Sequence, residues 1–267
     1  MSRFLLSLMA CAAAPAVLAA TPAETDCRAS SAAATAALVE LYTSEGCSSC
    51  PPADRWLSGL SAGDTARGRV VPLALHVTYW DDLGWKDPYA RAEFTARQHG
   101  WKTLHEDSYV YTPQVVLAGQ DYRRWSDGRQ FWRDVQAVND KPARASIALS
   151  ARPAGAAGET DIEVEVRIPA AADRAHAALF LATTADGVSS RVAAGENAGS
   201  MLHHDHLARS WAGPLPLSAE ERTTVRSRLP AGASAPGRVP GGAAGVVAFV
   251  ENTADGRILQ AVAAACR

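Results

Sequence analysis

The sequence predicts an α/β domain over residues 38–140, followed by a smaller, β-sandwich-like domain over residues 141–267. In the first segment, apolar runs alternate with helix-like patterns, which is typical of α/β layers. After Lys141 the hydrophobic period shortens to two, which is typical of half-buried strands. Two cysteines, Cys47 and Cys50, stand where the first predicted strand meets the first predicted helix, and they direct the functional interpretation.

Each element of the first domain rests on its own apolar pattern. An apolar run at 38–42 predicts a central strand, and the nearly unbroken run from Val70 to Val77 predicts a second strand that is buried on both faces. Further predicted elements are a helix at 53–60 with an apolar face, an aromatic loop at 79–89, a helix at 90–101, a strand at 115–117 and a helix at 127–139 capped by Ser126 or Asp127.

The second domain is predicted from alternation. Ile162, Val164, Val166 and Ile168 alternate with charged residues, as in a strand with one buried face. Further strands are predicted at 177–184 and 201–211, and a hairpin at 245–263 that turns near Gly256. Several short strands with turn signals and little helix favour a small β-sandwich.

The segment Cys47-Ser48-Ser49-Cys50-Pro51 is the most specific motif of the chain. At a helix N-terminus, unpaired N–H groups and the helix dipole favour negative charge, so the pKa of the Cys47 thiol is expected to fall from about 8.5 toward neutrality or below. The thiolate attacks disulfides, and Cys50, one turn further, is placed to resolve the mixed disulfide. The alternatives are a structural disulfide and half of a zinc site, for which the chain has no second pair at similar spacing.

A second feature supports a redox site. Thr112-Pro113 precedes the predicted strand at 115–117, and an X-Pro bond that enters a strand is a place where the fold can fix a cis peptide. The order of cysteine pair, helix, strand and Thr-Pro resembles the thioredoxin fold.

Three segments, 39–54, 76–81 and 111–114, resemble more closely the DUF1223 family, which are secreted thioredoxin-like bacterial proteins of undefined function. The resemblance runs from about Leu38 to the C-terminus. It implies a thioredoxin-like domain in which a cis-proline loop, here Thr112 and Pro113, packs against the cysteines and aligns the client.

The N-terminus predicts export. Arg3 followed by an apolar, Ala-rich stretch predicts a signal peptide over residues 1–20, which is too short and too weakly hydrophobic for a membrane span. Residues 21–37 are predicted to form an N-terminal arm around Cys27. The alternative to periplasmic or secreted protein is a lipoprotein anchored at Cys11, because Leu8-Met9-Ala10-Cys11 resembles a lipobox.

Cysteine arithmetic predicts a second disulfide. With Cys11 removed and Cys47 paired to Cys50, the remaining cysteines are Cys27 and Cys266. Exported proteins favour disulfides, so we predict a structural Cys27–Cys266 bridge that ties the termini together. On the chain-entropy model a loop of this length is worth about 4–5 kcal/mol.

Histidines and carboxylates supply further candidates. On a strand, His204 and His206 share a face, and with a carboxylate they are weak candidates for copper or zinc ligands; the alternative is an exposed polar strand. His76 is either a core histidine or a proton-transfer group. Glu45 and Asp54 flank the cysteine motif, where they would tune or relay protons, although helix-dipole stabilisation explains Asp54 equally well.

Composition limits the partners. The 267 residues are 48 % hydrophobic, enough for a core, and 26 basic against 28 acidic residues give a net charge of −2. No basic stripe indicates nucleic-acid binding. No phosphate loop or Ser–His–Asp arrangement is present, and we predict no cofactor.

Two functions follow from these residues. The first is an exported thiol–disulfide oxidoreductase that acts on protein or small thiol clients together with an unidentified redox partner. The second is a non-catalytic module that binds a metal or a peptide, in which Cys47–Cys50 is a structural or regulatory disulfide. Fold alone does not separate them, because function depends on the site.

Overall fold

The structure of the protein, a computed structural model, describes residues 27–60, 62–154, 158–231 and 244–266. The predicted signal peptide and Cys11 lie outside these residues. The described strands are β1 (Cys27–Ser30), β2 (Ala37–Thr43), β3 (Val70–His76), β4 (Gln114–Leu117), β5 (Gln120–Asp121), β6 (Ser146–Ala154), β7 (Glu159–Arg167), β8 (Ala177–Ala185), β9 (Val188–Arg191), β10 (Met201–His204), β11 (Leu207–Pro216), β12 (Arg222–Pro230), β13 (Ala244–Asn252) and β14 (Arg257–Ala265). The described α-helices are α1 (Pro51–Ser58), α2 (Ala62–Ala66), α3 (Ala92–Leu104), α4 (Gly128–Asn139) and α5 (Ala171–Arg174).

A large mixed sheet is the centre of this α/β fold. In the described part of the chain it has eight strands in the order β14-β13-β8-β11-β3-β2-β4-β5. β2 and β3 are parallel, and β4 runs antiparallel to β2. All residues of β2 and β3 are buried, which confirms that their unbroken apolar runs belong to central strands.

Helices cover both faces of β2 and β3. On one face Val39 and Leu41 pack with Leu57 of α1 and Phe131 of α4. The opposite face packs against Phe94 of α3. Asp127 caps α4, as its sequence predicts, and its side chain accepts a hydrogen bond from the Gln130 amide at 3.0 Å. This layer arrangement fixes the direction in which β2 delivers the cysteine motif.

A smaller sheet covers the other half of the large one. Among the described residues its order is β1-β6-β7-β12. Ile162, Val164 and Val166 point inward and are buried, as their alternation predicts, and they pack with residues of β8, β13 and β14. On the outer face, Arg226 of β12 bonds Glu163 of β7 at 2.6 Å. The two sheets therefore form a sandwich.

One layer of that sandwich is continuous with the sheet that contains β2 and β3. β8, β11, β13 and β14 do not form a sheet of their own, because β11 pairs in parallel with β3, with Leu207 opposite Ala74. The predicted strand at 201–211 is two strands, β10 and β11, interrupted at His206, whose φ is 55°. The large sheet thus crosses the predicted boundary at residue 141, and β1, from the predicted arm, joins the small sheet.

A buried ion cluster links the two halves of the large sheet. Arg97 of α3 donates to Glu40 of β2 at 3.0 Å and to Glu251 of β13 at 2.8 Å. Its guanidinium also lies 4.8 Å from the ring centroid of Phe180 and 4.9 Å from that of Phe249. Because a buried charge is stable only when it is paired, these contacts depend on one another.

Candidate active site at the Cys47–Cys50 disulfide

The cysteine motif leaves the carboxyl end of β2 and leads into α1. Cys47 and Cys50 form a disulfide with a Cα–Cα distance of 5.4 Å. The Cys47 amide donates to the Ser44 carbonyl and the Cys50 amide to the Cys47 carbonyl, both at 3.2 Å, so the motif is a tight turn. Pro51 and Pro52 occupy the first helical turn, where a missing N–H costs nothing. The sequence therefore presents the cysteines at a helix N-terminus, as predicted.

The disulfide is enclosed. Cys47 and Cys50 each have 0 % of their surface exposed, although Ser48 and Ser49 between them are exposed. The Cys47 sulfur lies 3.4 Å from the Ser49 hydroxyl oxygen. In this conformation a nucleophile from solvent has no path to either sulfur.

The Thr112–Pro113 peptide bond is cis and lies at the same end of the sheet as the motif. β4 begins directly after it, with Gln114 opposite Tyr42 near the end of β2. The Trp80 indole N–H donates to the Thr112 hydroxyl at 2.7 Å. A Cβ on Gly46, the residue before Cys47, would lie only 3.2 Å from the Trp80 Cβ. Trp80 therefore joins the Thr112–Pro113 loop to the motif.

Glu45 is a fully buried carboxylate two residues before Cys47. Its amide donates to Asp87 at 2.8 Å, one carboxyl oxygen lies 3.1 Å from His204 Nε2, and the other accepts from the Trp85 indole at 2.8 Å. Burial favours the neutral form, but the hydrogen bonds with His204 and Ser190 outweigh it and lower the pKa of the Glu45 carboxyl. The site thus keeps a negative charge beneath the motif.

A second buried pair, His76 and Asp87, lies next to Glu45. His76 Nδ1 is 2.6 Å from Asp87 Oδ2, and the Tyr89 amide donates to the other Asp87 oxygen at 2.8 Å. Burial opposes a charge on His76, but Asp87 outweighs it and raises the pKa of His76 to about 8, while that of Asp87 is lowered. The His76 and His204 rings meet edge to face at 4.9 Å. His76 Nε2 is buried without a hydrogen-bond partner in the described part of the chain.

Asp54 is the remaining buried carboxyl of this group. It is 7 % exposed and accepts a hydrogen bond from the Thr43 hydroxyl at 2.7 Å. Its amide donates to the Cys50 carbonyl at 3.1 Å, so it lies on the helical turn that begins at the motif. Burial raises the pKa of Asp54, which is the opposite of what an exposed, dipole-stabilised carboxylate shows.

Two residues that sequence analysis missed lie over the motif. The Ser48 amide donates to the Glu196 carboxylate at 2.9 Å. The Asn197 side-chain amide donates to the carbonyls of Glu45 and Cys47, at 2.8 and 2.9 Å. About 150 residues separate these partners in sequence. No local signal identifies such a contact.

Most of this chain matches one known protein family. The family described as "Protein of unknown function (DUF1223)" matches residues 38–251. The chain belongs to the DUF1223 family. No curated protein matches it.

Two solved structures resemble this DUF1223 member. One is an X-ray crystal structure of a protein from Agrobacterium tumefaciens with 27 % identity, which covers 86 % of this chain and 94 % of that one with a TM-score of 0.53. The other is HBP35 of Porphyromonas gingivalis, with 12 % identity, 87 % and 76 % coverage and a TM-score of 0.61, which is a likeness of fold alone.

The two weak metal candidates lie in different places in this DUF1223 member. His204 is the last residue of β10, is 2 % exposed, and its Nε2 forms a hydrogen bond with the Glu45 carboxyl group. His206 follows a turn, and its amide donates to Asp186 at 2.7 Å. His203 is exposed beside Ser189. Among the described residues no group of three or more His, Cys, Asp or Glu side chains is arranged to hold a metal ion.

The second predicted disulfide is present away from this site. Cys27 of β1 is bonded to Cys266, just beyond β14, with a Cα–Cα distance of 4.8 Å. It joins the small sheet to the outer strand of the large one. In the described parts of the chain no helix has the length and apolar character needed to cross a membrane.

Proposed function

We propose that this protein is an exported thiol–disulfide oxidoreductase that uses Cys47 and Cys50 to exchange disulfides with protein or small thiol clients. The observation that carries the proposal is the position of the disulfide at the carboxyl end of a central parallel strand and the start of α1. Ligands bind at this end of open α/β sheets, and the helix N-terminus stabilises a thiolate there.

The surrounding elements support a thioredoxin-like core. β2, α1 and β3 form a parallel strand–helix–strand unit, and β4 and β5 continue it in antiparallel fashion. The Thr112–Pro113 loop is connected to the motif through Trp80. We assign Thr112 and Pro113 to alignment of the client beside Cys47. Export rests on the N-terminal pattern of residues 1–20 and on the Cys27–Cys266 disulfide, since such bonds persist in oxidising compartments.

The exchange proceeds in two balanced steps. A client thiolate attacks the Cys47 sulfur, a client–Cys47 bond forms, and the Cys47–Cys50 bond breaks with its electron pair left on Cys50. A second client thiolate then attacks the client sulfur of this mixed disulfide and releases Cys47 as a thiolate. The client loses two electrons and two protons, and the two cysteines take up both electrons and two protons. In the reverse sequence the Cys47 thiolate attacks a client disulfide and Cys50 resolves it.

The buried ionisable groups provide for those protons. Asp54, whose pKa burial raises, is one turn along α1 from Cys50 and is our candidate for proton exchange with the leaving sulfur. Glu45 and the His76–Asp87 pair fix the charge beneath the motif. We assign them to tuning of the thiolate rather than to contact with the client.

The complete burial of both sulfurs favours a second candidate function. An enclosed, inert Cys47–Cys50 bridge is what a non-catalytic binding module on the same scaffold requires. In that case ligand binding survives replacement of both cysteines by alanine.

The reduction potential of Cys47–Cys50 separates the two. The protein is equilibrated in glutathione buffers, alkylated and analysed by peptide-resolved mass spectrometry, with Cys27–Cys266 as the internal control. We expect a potential between about −120 and −270 mV, the range of working oxidoreductases. A potential below about −300 mV identifies a structural disulfide and would overturn the catalytic proposal.

A further inference from the structure

The loop between β9 and β10 lies directly on the cysteine motif. Its contacts are made to the main chain of the motif itself: Glu196 accepts from the Ser48 amide at 2.9 Å, and Asn197 donates to the Cys47 carbonyl at 2.9 Å. An extended peptide binds through main-chain hydrogen bonds, so a client that paired with this side of the motif would meet the same donor and acceptor. The loop therefore occupies the two main-chain groups to which such a client would bond.

The same loop helps to enclose the site. Gly195 packs so closely that a Cβ there would lie 3.1 Å from the Cβ of Trp85, whose indole bonds Glu45 under the motif. With the loop in place, Cys47 has no exposed surface. Thiol–disulfide exchange requires access to a sulfur, so the observed conformation is closed to reaction.

Two glycines and a main-chain hydrogen bond shape the connection of the loop to β9 and β10. Gly195 and Gly199 have φ values of +73° and +84°, which only glycine adopts readily. The Val192 amide donates to the Ser200 carbonyl at 3.0 Å, so the base of the loop stays closed while its tip reaches the motif. β10 is anchored below by His204, which is 2 % exposed.

We propose that residues 195–198 form a self-docked cover that blocks the Cys47–Cys50 disulfide through Glu196 and Asn197, and that its release regulates exchange. This inference rests on the proposed oxidoreductase function. The cover competes with the client for the Ser48 amide and the Cys47 carbonyl, so a polypeptide that supplies both groups opens the site by displacing it.

The test measures how fast the disulfide is reduced. Wild-type protein, Asn197→Asp and Glu196→Ala/Asn197→Ala are mixed with excess dithiothreitol, quenched by alkylation and analysed by mass spectrometry. Asn197→Asp keeps the size of the side chain but replaces the amide donor by a carboxylate, which is repelled by the carbonyl oxygens of Glu45 and Cys47. We expect both variants to be reduced at least tenfold faster than wild type, which corresponds to about 1.4 kcal/mol in the barrier. A rate increase of less than tenfold in both variants would overturn the proposal that the loop covers the disulfide.

Two controls isolate the effect. Glu220→Ala removes an exposed glutamate outside the loop and should leave the rate unchanged. Reduction of Cys27–Cys266, read in the same samples, should keep its wild-type rate if the variants are folded. If only the cover proposal is wrong, the reduction potential of Cys47–Cys50 still lies in the oxidoreductase range. If the proposed function is wrong, the potential lies below about −300 mV whatever the reduction rates are.

Discussion

Replacement of His76 by glutamine tests whether the site holds a buried ion pair. The pKa of His76 is raised from 6.5 to about 8 by Asp87. Because the folded pKa lies above the unfolded one, the stabilisation is fully present below about pH 6.5 and is lost as pH rises through 8. A difference of 1.5 pKa units corresponds to roughly 2 kcal/mol. The pKa of Asp87 is lowered, so the stabilisation that Asp87 contributes is fully present above the ordinary pKa of an aspartate and is lost as the pH falls below it.

Urea unfolding at pH 6, 7, 8 and 9, with both disulfides intact, measures this difference. We expect the free energy of unfolding of wild type to fall by roughly 2 kcal/mol more than that of His76→Gln between pH 6 and pH 9. His176→Gln, which removes an exposed histidine, should keep the wild-type dependence. Equal pH dependence in wild type and His76→Gln would refute the assignment of a charged His76.

Three further changes test the fold beyond the site. Arg97→Met removes the guanidinium partner of the buried Glu40 and the largely buried Glu251, and urea unfolding should show a loss of about 3–5 kcal/mol. Removing Cys27 and Cys266 together should lower the free energy of unfolding by at most about 5 kcal/mol, while the reduction rate of the other disulfide stays unchanged. Gly119 has a φ of +87°, and Gly119→Ala places a Cβ 2.1 Å from a main-chain oxygen of the β13–β14 turn. Thermal unfolding should therefore show a stability loss of at least about 1 kcal/mol. The control Gly128→Ala, whose Cβ meets nothing within 4 Å, should show no such loss.

Local sequence predicts the elements of this fold well. β2 and β3 are continuous apolar runs because helices cover both faces, and β7 alternates because one of its faces meets water. The parallel pairing of β11 with β3 has no local signature. The pairing depends on which edge of β3 remains open after β2 has paired with the other edge, and the paired residues, Leu207 and Ala74, are 133 positions apart in sequence.

The site shows the same difference between features that local sequence predicts and contacts that depend on distant residues. Spacing predicts the Cys47–Cys50 pair and the local sequence predicts the Thr112-Pro113 loop, because each is encoded within a few residues. His204 is visible only as part of a histidine cluster, and its residue type suggests a metal. Its partner is Glu45, which is 159 residues away, and the two meet only because the β9–β10 hairpin folds back onto α1.

The buried charges bear on the choice between catalysis and a structural bridge. Glu45, His76, Asp87 and His204 are all at most 3 % exposed, and burying ionisable groups is often no better for stability than packing apolar ones of the same size. A disulfide that served only to staple the chain would gain nothing from such neighbours. A cysteine that must alternate between thiolate, thiol and disulfide does gain, because fixed charges in a water-excluded site change the stability of its ionised form. The β9–β10 hairpin supplies both His204, which bonds Glu45 beside the motif, and Asn197, which donates to the Cys47 carbonyl, so the proposed tuning and the proposed cover depend on the same element.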